Sequence, residues 1–468
     1  MTSARVRSLP QLGQGCLGAI SALVAVTGSA CDSGATIAPV DGRDDLLLGV
    51  YSARIQDGLS DEIVVQVPEG VDSVLFDVRG DRGLYYLSKF TTPSGVELIE
   101  GGGFVTRAAR AKPGMVDWLY PNTPVRDAES GEYRLILRAE SPSGGHIASE
   151  SLDVLVYSKQ RTGHSGCGLH LDFLVDRDAI ALEDMEVAVD GLVDRLVPIF
   201  AQVGTEIIDY QTQRISLLTT DVDVSGSNWR EAMDAVEDAL DQGRREGSAR
   251  DSSLRIVVAR SVGGREGLAG YSMGLPGPVA GDRPNSAVII STGAYADSGG
   301  FLDLDGLSTT LAHELGHYLG LYHTSEPNGE LHDPIPDTPE CSSGVCDATF
   351  LDNIMTPGQG ARRYLLTEGQ GQVLRRHPLC LPRDVEAVSP ERPRCDLDCE
   401  APTTCAVWRG DTACLVACNP DAPECPDDTG CAADDAGTYV CVPKTAAAPT
   451  PDASCAHDPS IAPTRARL

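Results

Sequence analysis

Residues 313–323 read HELGHYLGLYH, and the spacing of their three histidines limits what the surrounding chain can build. Positions four apart stack on one helical face, so His313 and His317 present their imidazoles side by side. The apolar period from Leu307 to Leu319 supplies the helix, with Asp305 or Ser308 as its expected cap. Gly320, three residues past His317, tolerates the positive φ that ends a helix and turns the chain back. That turn carries His323 towards the other two. Three imidazoles arriving from a helix and its tail suit zinc, which binds such nitrogens at about 2.0–2.1 Å and leaves a fourth position to water. Glu314 is expected not to ligate but to lean over that position, where its carboxylate can take a proton.

The chain of 468 residues carries 37 basic and 68 acidic side chains, a net charge of −31. Such a surface repels phosphate backbones and anionic lipids, so a nucleic-acid partner is not expected. Residues 1–30 have the pattern of an export signal: Arg5 and Arg7, an apolar run from Leu17 to Thr27, then Gly28, Ser29 and Ala30. The expected location is therefore secreted or at the cell surface. Cys31, directly after the small residues, sits where bacterial lipoproteins carry their lipid, although Gly28 stands where that signal usually has leucine. Membrane attachment is expected only through that lipid. Fifteen cysteines, one of them (Cys16) inside the leader, leave fourteen outside it, a number that favours a disulfide for Cys31. Both fates of Cys31 stay open.

Residues 31–48 lack a pattern and are expected to be a linker or tether. From 49 to 160, short alternating runs (VYSARI, EIVVQV, SVLFDV, YRLILRAE, LDVLVYS) between Gly, Asp and Pro turns predict a β-sandwich-like domain. Tyr133, Leu135 and Leu137, and likewise Leu152, Val154 and Val156, are its expected inward residues. Nothing polar converges there, so a spacer or folding partner is the expected role.

Between 161 and 377 strands and helices alternate, which predicts a twisted mixed sheet with helices packed on it, an α+β catalytic domain. Strands are expected at 169–176, 203–210, 254–262 and 286–292, and helices over 179–196 and 228–240. Residues 263–285, rich in Gly and Pro, should form an irregular loop, leaving 286–292 as an edge that an extended peptide can join. From 378 to 468 the chain is cysteine-dense with almost no aliphatic core. A disulfide-held segment is expected there, dispensable for chemistry.

HELGHYLGLYH, followed by DPIPDTPEC, DNIM and LTEGQ, resembles the metzincin zinc metalloendopeptidases, and within them the pappalysin family. The similarity is detailed over 305–377 and loose over 167–304. It implies zinc held by His313, His317 and His323, Glu314 as general base, and Met355 in a tight turn beneath the metal. Peptide or protein is then the substrate. The tyrosine that several metzincins carry two residues after this methionine is replaced here by Pro357.

Glu326, Glu330, Asp333, Asp337 and Asp347 lie between His323 and Met355; they are either a solvated loop or ligands for calcium. Cys341 and Cys346 are placed to close a small loop beside them, and His332 is assigned to the surface. Cys167 has two readings: a thiolate that blocks the zinc, or, preferred, a disulfide with Cys380 where the domain ends. Two other functions compete with proteolysis: a non-catalytic surface or adhesion protein keeping a zinc fold, and a zinc-dependent amide hydrolase acting on a non-protein substrate.

Overall fold

The computed structural model describes residues 36–388 apart from 99–112, 143, 218–220, 223–228, 246–251, 263–267, 280–282, 284–285, 297–301, 327–328, 330, 343–344, 347–349 and 359–363, and, beyond them, 403–408, 411–416, 429–433 and 439–443. The expected signal, Cys31 and most of the tail lie outside the described residues.

Eight strands come first: β1 (Thr36–Val40), β2 (Arg43–Gln56), β3 (Leu59–Ser60), β4 (Ile63–Val67), β5 (Val71–Thr91), β6 (Pro113–Tyr120), β7 (Gly131–Glu140) and β8 (Ser149–Gln160). The expected tether is thus wrong from residue 36 onward. Its Leu46 is fully buried, and β1 pairs with β2 from Thr36 to Val40. All pairings are antiparallel, in the order β4-β7-β3-β2-β8-β5-β6. β5 is 21 residues long; its first part pairs with β6 and β8, its second with β7, with a register shift between Arg79 and Leu84. One bent strand therefore serves both layers, and the two separate sheets of a sandwich merge into one sheet that curls on itself. Tyr133, Leu135, Leu137, Leu152, Val154 and Val156 all point into its core.

The second sheet contains β9 (Gly166–Asp176), β10 (Thr205–Ile215), β11 (Leu254–Ala259), β12 (Gly270–Ser272), β13 (Ala287–Ser291) and β14 (Leu381–Arg383). Its order is β10-β9-β11-β13-β12, with β14 also pairing with β9. The central pairings are parallel; β12 and β14 run antiparallel, so the sheet is mixed. Four α-helices accompany it: α1 (Met185–Ala201), α2 (Trp229–Arg245), α3 (Leu304–Tyr318) and α4 (Glu368–Arg376). Alternate strand residues reach opposite faces. Leu254, Ile256 and Val258 of β11 join α1 and α3 in one core, while Val257 and Ala259 join Ala232, Met233 and Val236 of α2 in another.

Three expectations change here. α1 starts at Met185 after a 3₁₀ turn, because Leu182 is exposed and offers nothing to bury. Within the Gly- and Pro-rich loop, Gly270–Ser272 forms β12 and covers the strand at 287–291, so the free edge is β12. The second sheet also runs beyond 377: β14 pairs with β9, and Cys380 is bonded to Cys167. Residues 378–388 thus belong to the sheet, and the cysteine-dense segment starts later. In that segment two hairpins place Cys405 opposite Cys414 and Cys431 opposite Cys441.

The two sheets share a core. Leu46, Leu75, Leu119 and Tyr157 of the first pack into the cluster that holds α1 and α3. Polar clasps reinforce the junction where α4 ends. Lys159 Nζ donates to the carbonyls of Arg375, His377 and Cys380, Ser73 Oγ to that of Arg376, and Arg43 to that of Pro378. These carbonyls would otherwise lie buried beyond a helix end without partners.

Candidate metal centre

The helix that bears the motif begins earlier than expected. Leu304 is buried and extends the apolar stripe, and the cap is Asp303, whose side chain accepts from Gly306 N at 3.1 Å. Asp305 lies inside the first turn, where it pairs with Arg195, and Ser308 Oγ donates to the Asp305 carbonyl. Neither is the cap.

At the other end, Gly320 has φ +104°. Its N–H bonds the His317 carbonyl at 3.0 Å, and Leu321 N bonds the Gly316 carbonyl at 2.9 Å. This pair of bonds is a Schellman motif, which satisfies the last carbonyls and reverses the chain. The reversal brings His323 back onto the helix. The rings of His313, His317 and His323 stand 4.6–5.2 Å apart between centroids, and one nitrogen from each lies within 4.8 Å of the others. Among the described residues this is the one group of three or more such side chains arranged to hold a metal ion.

Each ring is oriented from behind. His313 Nδ1 bonds the Ile354 carbonyl at 2.7 Å, and His317 Nδ1 bonds the Leu321 carbonyl at 2.8 Å. Carbonyls only accept, so both rings carry their proton on Nδ1 and turn a bare Nε2 inward. His323 Nδ1 faces the Glu326 carboxylate at 3.4–3.5 Å. His317 Nε2 and His323 Nε2 are 3.2 Å apart. Ligands of a tetrahedral zinc, with bonds of about 2.0–2.1 Å, stand roughly 3.3 Å from each other. The three-imidazole donor set can hold a metal ion, and its His317–His323 pair has the ligand spacing of a tetrahedral zinc.

Met355 is fully buried against the helix, its sulfur 2.6 Å from where a Cβ on Gly316 would stand. The turn carrying it is tied by Asn353: its Oδ1 accepts from Met355 N at 2.9 Å, and its amide exchanges two bonds with Gln370 of α4. Gln370 in turn closes the capping box with Thr367. Glu314 is half-buried and lies against β12, its Cγ 2.9 Å from a Cβ built on Gly270. The glycine in the edge strand is what lets that strand approach the carboxylate-bearing helix so closely.

Of the acidic loop, Glu330 and Asp347 lie outside the described residues. Glu326 faces His323, Asp337 accepts from Thr367 Oγ1 and Gly369 N, and Asp333 accepts from Ile335 N and Thr338 Oγ1. Burial pushes the Asp333 carboxyl up to about 7. No three of the described carboxylates group as an ion site, so the calcium alternative gains no support. Cys341 and Cys346 are bonded to each other. His332 is not simply a surface residue: it bonds Ser325 Oγ at 2.7 Å and Ser342 Oγ at 3.2 Å, tying this loop together. Cys167 is engaged with Cys380 and is no thiolate ligand.

Sequence reasoning missed the groups behind the rings. Two of them are backbone carbonyls, which leave no trace in side-chain identity. Glu326, three residues past His323, and Asn353 in DNIM are the signals that could have been read.

No protein-family model and no curated protein matches the chain. Among solved structures it is similar to an archaemetzincin from Methanopyrus kandleri, at 18% identity over 47% of this chain and 89% of that one, with a TM-score of 0.24. It is also similar to a family two carbohydrate esterase from Clostridium thermocellum, at 8% identity over 49% and 78% of the two chains, with a TM-score of 0.12. Likenesses this distant leave the reading to the residues.

Proposed function

We propose that the chain is a zinc-dependent metalloendopeptidase of the metzincin kind, similar in its motif to the pappalysins, that works outside the cytoplasm. The observation that carries the reading is the convergence of three histidines, two of them with Nδ1 held by a carbonyl, on a point suited to a tetrahedral ion. Zinc bound there supplies Lewis acidity, lowering the pKa of a water and polarising a scissile carbonyl. Glu314 takes the proton from the attacking water and returns it to the leaving amine.

An extended peptide that adds to the free edge of β12 would run beside Gly270 and so past Glu314. That geometry favours a polypeptide over a compact amide. The disulfides Cys167–Cys380 and Cys341–Cys346 support an oxidising compartment.

The test uses Glu314→Gln beside the native protein. Both should hold about one zinc per chain after dialysis against metal-free buffer. Casein cleavage by the native protein should stop with a zinc chelator, and Glu314→Gln should lose at least about 10²-fold in turnover. A native protein that takes up no zinc overturns the metal reading. Zinc binding without cleavage of any casein or gelatin substrate leaves the surface-protein or non-protein-amide functions instead.

A further inference from the structure

Where β6 ends, the first sheet meets the turn that carries the third histidine. Leu119 Cδ2 is 2.9 Å from where a Cβ on Gly320 would stand, so the turn glycine is pressed directly against this leucine. Two residues beyond β6, the Asn122 side chain hydrogen bonds the hydroxyl of Tyr322, the residue before His323. Tyr322 is 6% exposed, so its hydroxyl depends on a protein partner. The next residue, Thr123, donates through Oγ1 to the Pro334 carbonyl at 2.6 Å, and its own carbonyl accepts from Arg376 of α4. Asn122 and Thr123 are 6% and 5% exposed, an unusual depth for polar residues outside a strand or helix.

Two of these contacts, from Leu119 and Asn122, fall on one short stretch, Gly320 to Tyr322. The helix holds His313 and His317 rigidly, but His323 stands on a turn and its ring is held from behind by a single contact of 3.4–3.5 Å. The turn is closed by its own Schellman bonds, by the Leu321 carbonyl on His317 and by Thr324 N on the Met355 carbonyl, and the first sheet packs against it from outside. We propose that the N-terminal sheet completes the metal centre, with Leu119 and Asn122 as positioning residues that fix the Gly320–Tyr322 turn and so the place of His323. The sheet is then neither a spacer nor a removable pro-segment. Removing it would take Leu46, Leu75, Leu119 and Tyr157 out of the shared core, expose the side chains they cover, and free the turn. The inference rests on the zinc reading above, and it concerns residues in a part of the chain that the motif does not reach.

The experiment compares Asn122→Ala, Tyr322→Phe, the double variant and Ser73→Ala, each loaded with zinc, by the rate at which zinc passes to a chromophoric chelator. Ser73 clasps the same junction at the Arg376 carbonyl, away from the turn, and serves as the control. Asn122→Ala and Tyr322→Phe remove the two ends of one bond. Each should speed zinc release about tenfold, within the range usual for groups behind a ligand, and the double variant no more than either alone. Ser73→Ala should lower the urea midpoint while zinc release stays within twofold of native. Tyr322→Phe removes one oxygen and keeps the ring's packing, so it reports even where Asn122→Ala folds poorly. Release within twofold of native for Tyr322→Phe, or an equal acceleration in Ser73→Ala, overturns the inference while leaving the zinc reading intact. A native protein that holds no zinc overturns that reading and this one with it.

Discussion

A Cβ added to Gly316 would stand 2.6 Å from the sulfur of Met355, closer than any real contact, so the helix glycine and the buried methionine are fitted to each other. Glycine in a helix interior costs about 1 kcal/mol relative to alanine, and at an open position Gly316→Ala would stabilise. Here Met355 is fully buried and its turn is tied to α4 through Asn353 and Gln370, so the sulfur has little room to retreat. The expected result of Gly316→Ala is a loss of about 1–3 kcal/mol from overpacking, with zinc release accelerated. Met355→Leu, nearly equal in volume, should cost less than about 1.5 kcal/mol. Urea midpoints for the two variants check this; a stabilised Gly316→Ala would refute the tight fit.

The Glu326 carboxylate faces the back of the candidate ligand His323 at 3.4–3.5 Å. A carboxylate behind an imidazole fixes its tautomer and raises its basicity, and losing such a partner typically weakens metal binding by about 10–100-fold. Glu326→Ala should therefore show a zinc affinity lower by that factor, with the fold unchanged by circular dichroism. Affinity within a factor of two of native would mean that the 3.4–3.5 Å separation is too long to matter.

His377 ties acid stability to the domain junction. Its Nε2–H donates to the Gly277 carbonyl at 3.0 Å while Nδ1 accepts from Leu379 N at 3.2 Å, so the neutral ring has both nitrogens satisfied. Burial, reinforced by the charges of Lys159 and Arg43, pushes its pKa from 6.5 down to about 3. Below 6.5 the unfolded chain takes up a proton that the folded chain refuses. Stability from this site is thus complete above about pH 6.5 and falls as the pH drops towards 3, by up to about 1.4 kcal/mol per unit. The measurement is the difference between native protein and His377→Gln, in which contributions from all other groups cancel. Urea midpoints at pH 7 and pH 5 should fall further for the native protein. Parallel falls would show that the ring is protonated in the folded state.

How much of this could be read beforehand depends on how far apart the contacting residues lie in the chain. His313, His317, Gly320 and His323 interact through helix periodicity and one turn, and eleven consecutive residues contain the whole relationship. The fully buried run LRIVVA was readable as a central strand because both of its faces are covered. β12 was not readable: three residues, GYS, in a stretch of Gly and Pro become a strand only because β13 offers them an edge. Likewise TIAPV and the start of β2 look unpatterned until the sheet they complete is known. Leu119 and Asn122 lie about two hundred residues before the turn they brace, and no local pattern marks them. The centre was legible where its contacts are local, and its support was not.

The end of the unit that carries the histidines is the last point that the structure changes, and it yields a sharp comparison. The sequence pattern placed that end at 377, but β14 pairs Leu381 with Gly168 and Arg383 with Gly166, and Val388 N bonds the Ala201 carbonyl at 2.9 Å. A chain ending after Arg376 loses this strand and the Cys167–Cys380 disulfide, which spans 213 residues. Closing so long a loop contributes roughly 5 kcal/mol in the chain-entropy description. It also strips Lys159 of the His377 and Cys380 carbonyls, leaving a buried ammonium short of acceptors. Native stability of a domain is only about 5–15 kcal/mol, so this truncation should fail to fold or to hold zinc. A chain ending after Val388 keeps every one of these contacts and should keep both zinc and cleavage of a short fluorogenic peptide. Its rate on folded protein substrates then reports on the cysteine-dense segment. Weakened cleavage of folded substrates with unchanged peptide cleavage makes that segment a substrate-placing module, and equal rates make it a spacer. Loss of peptide cleavage in the longer truncation would mean that the segment is part of the catalytic unit after all.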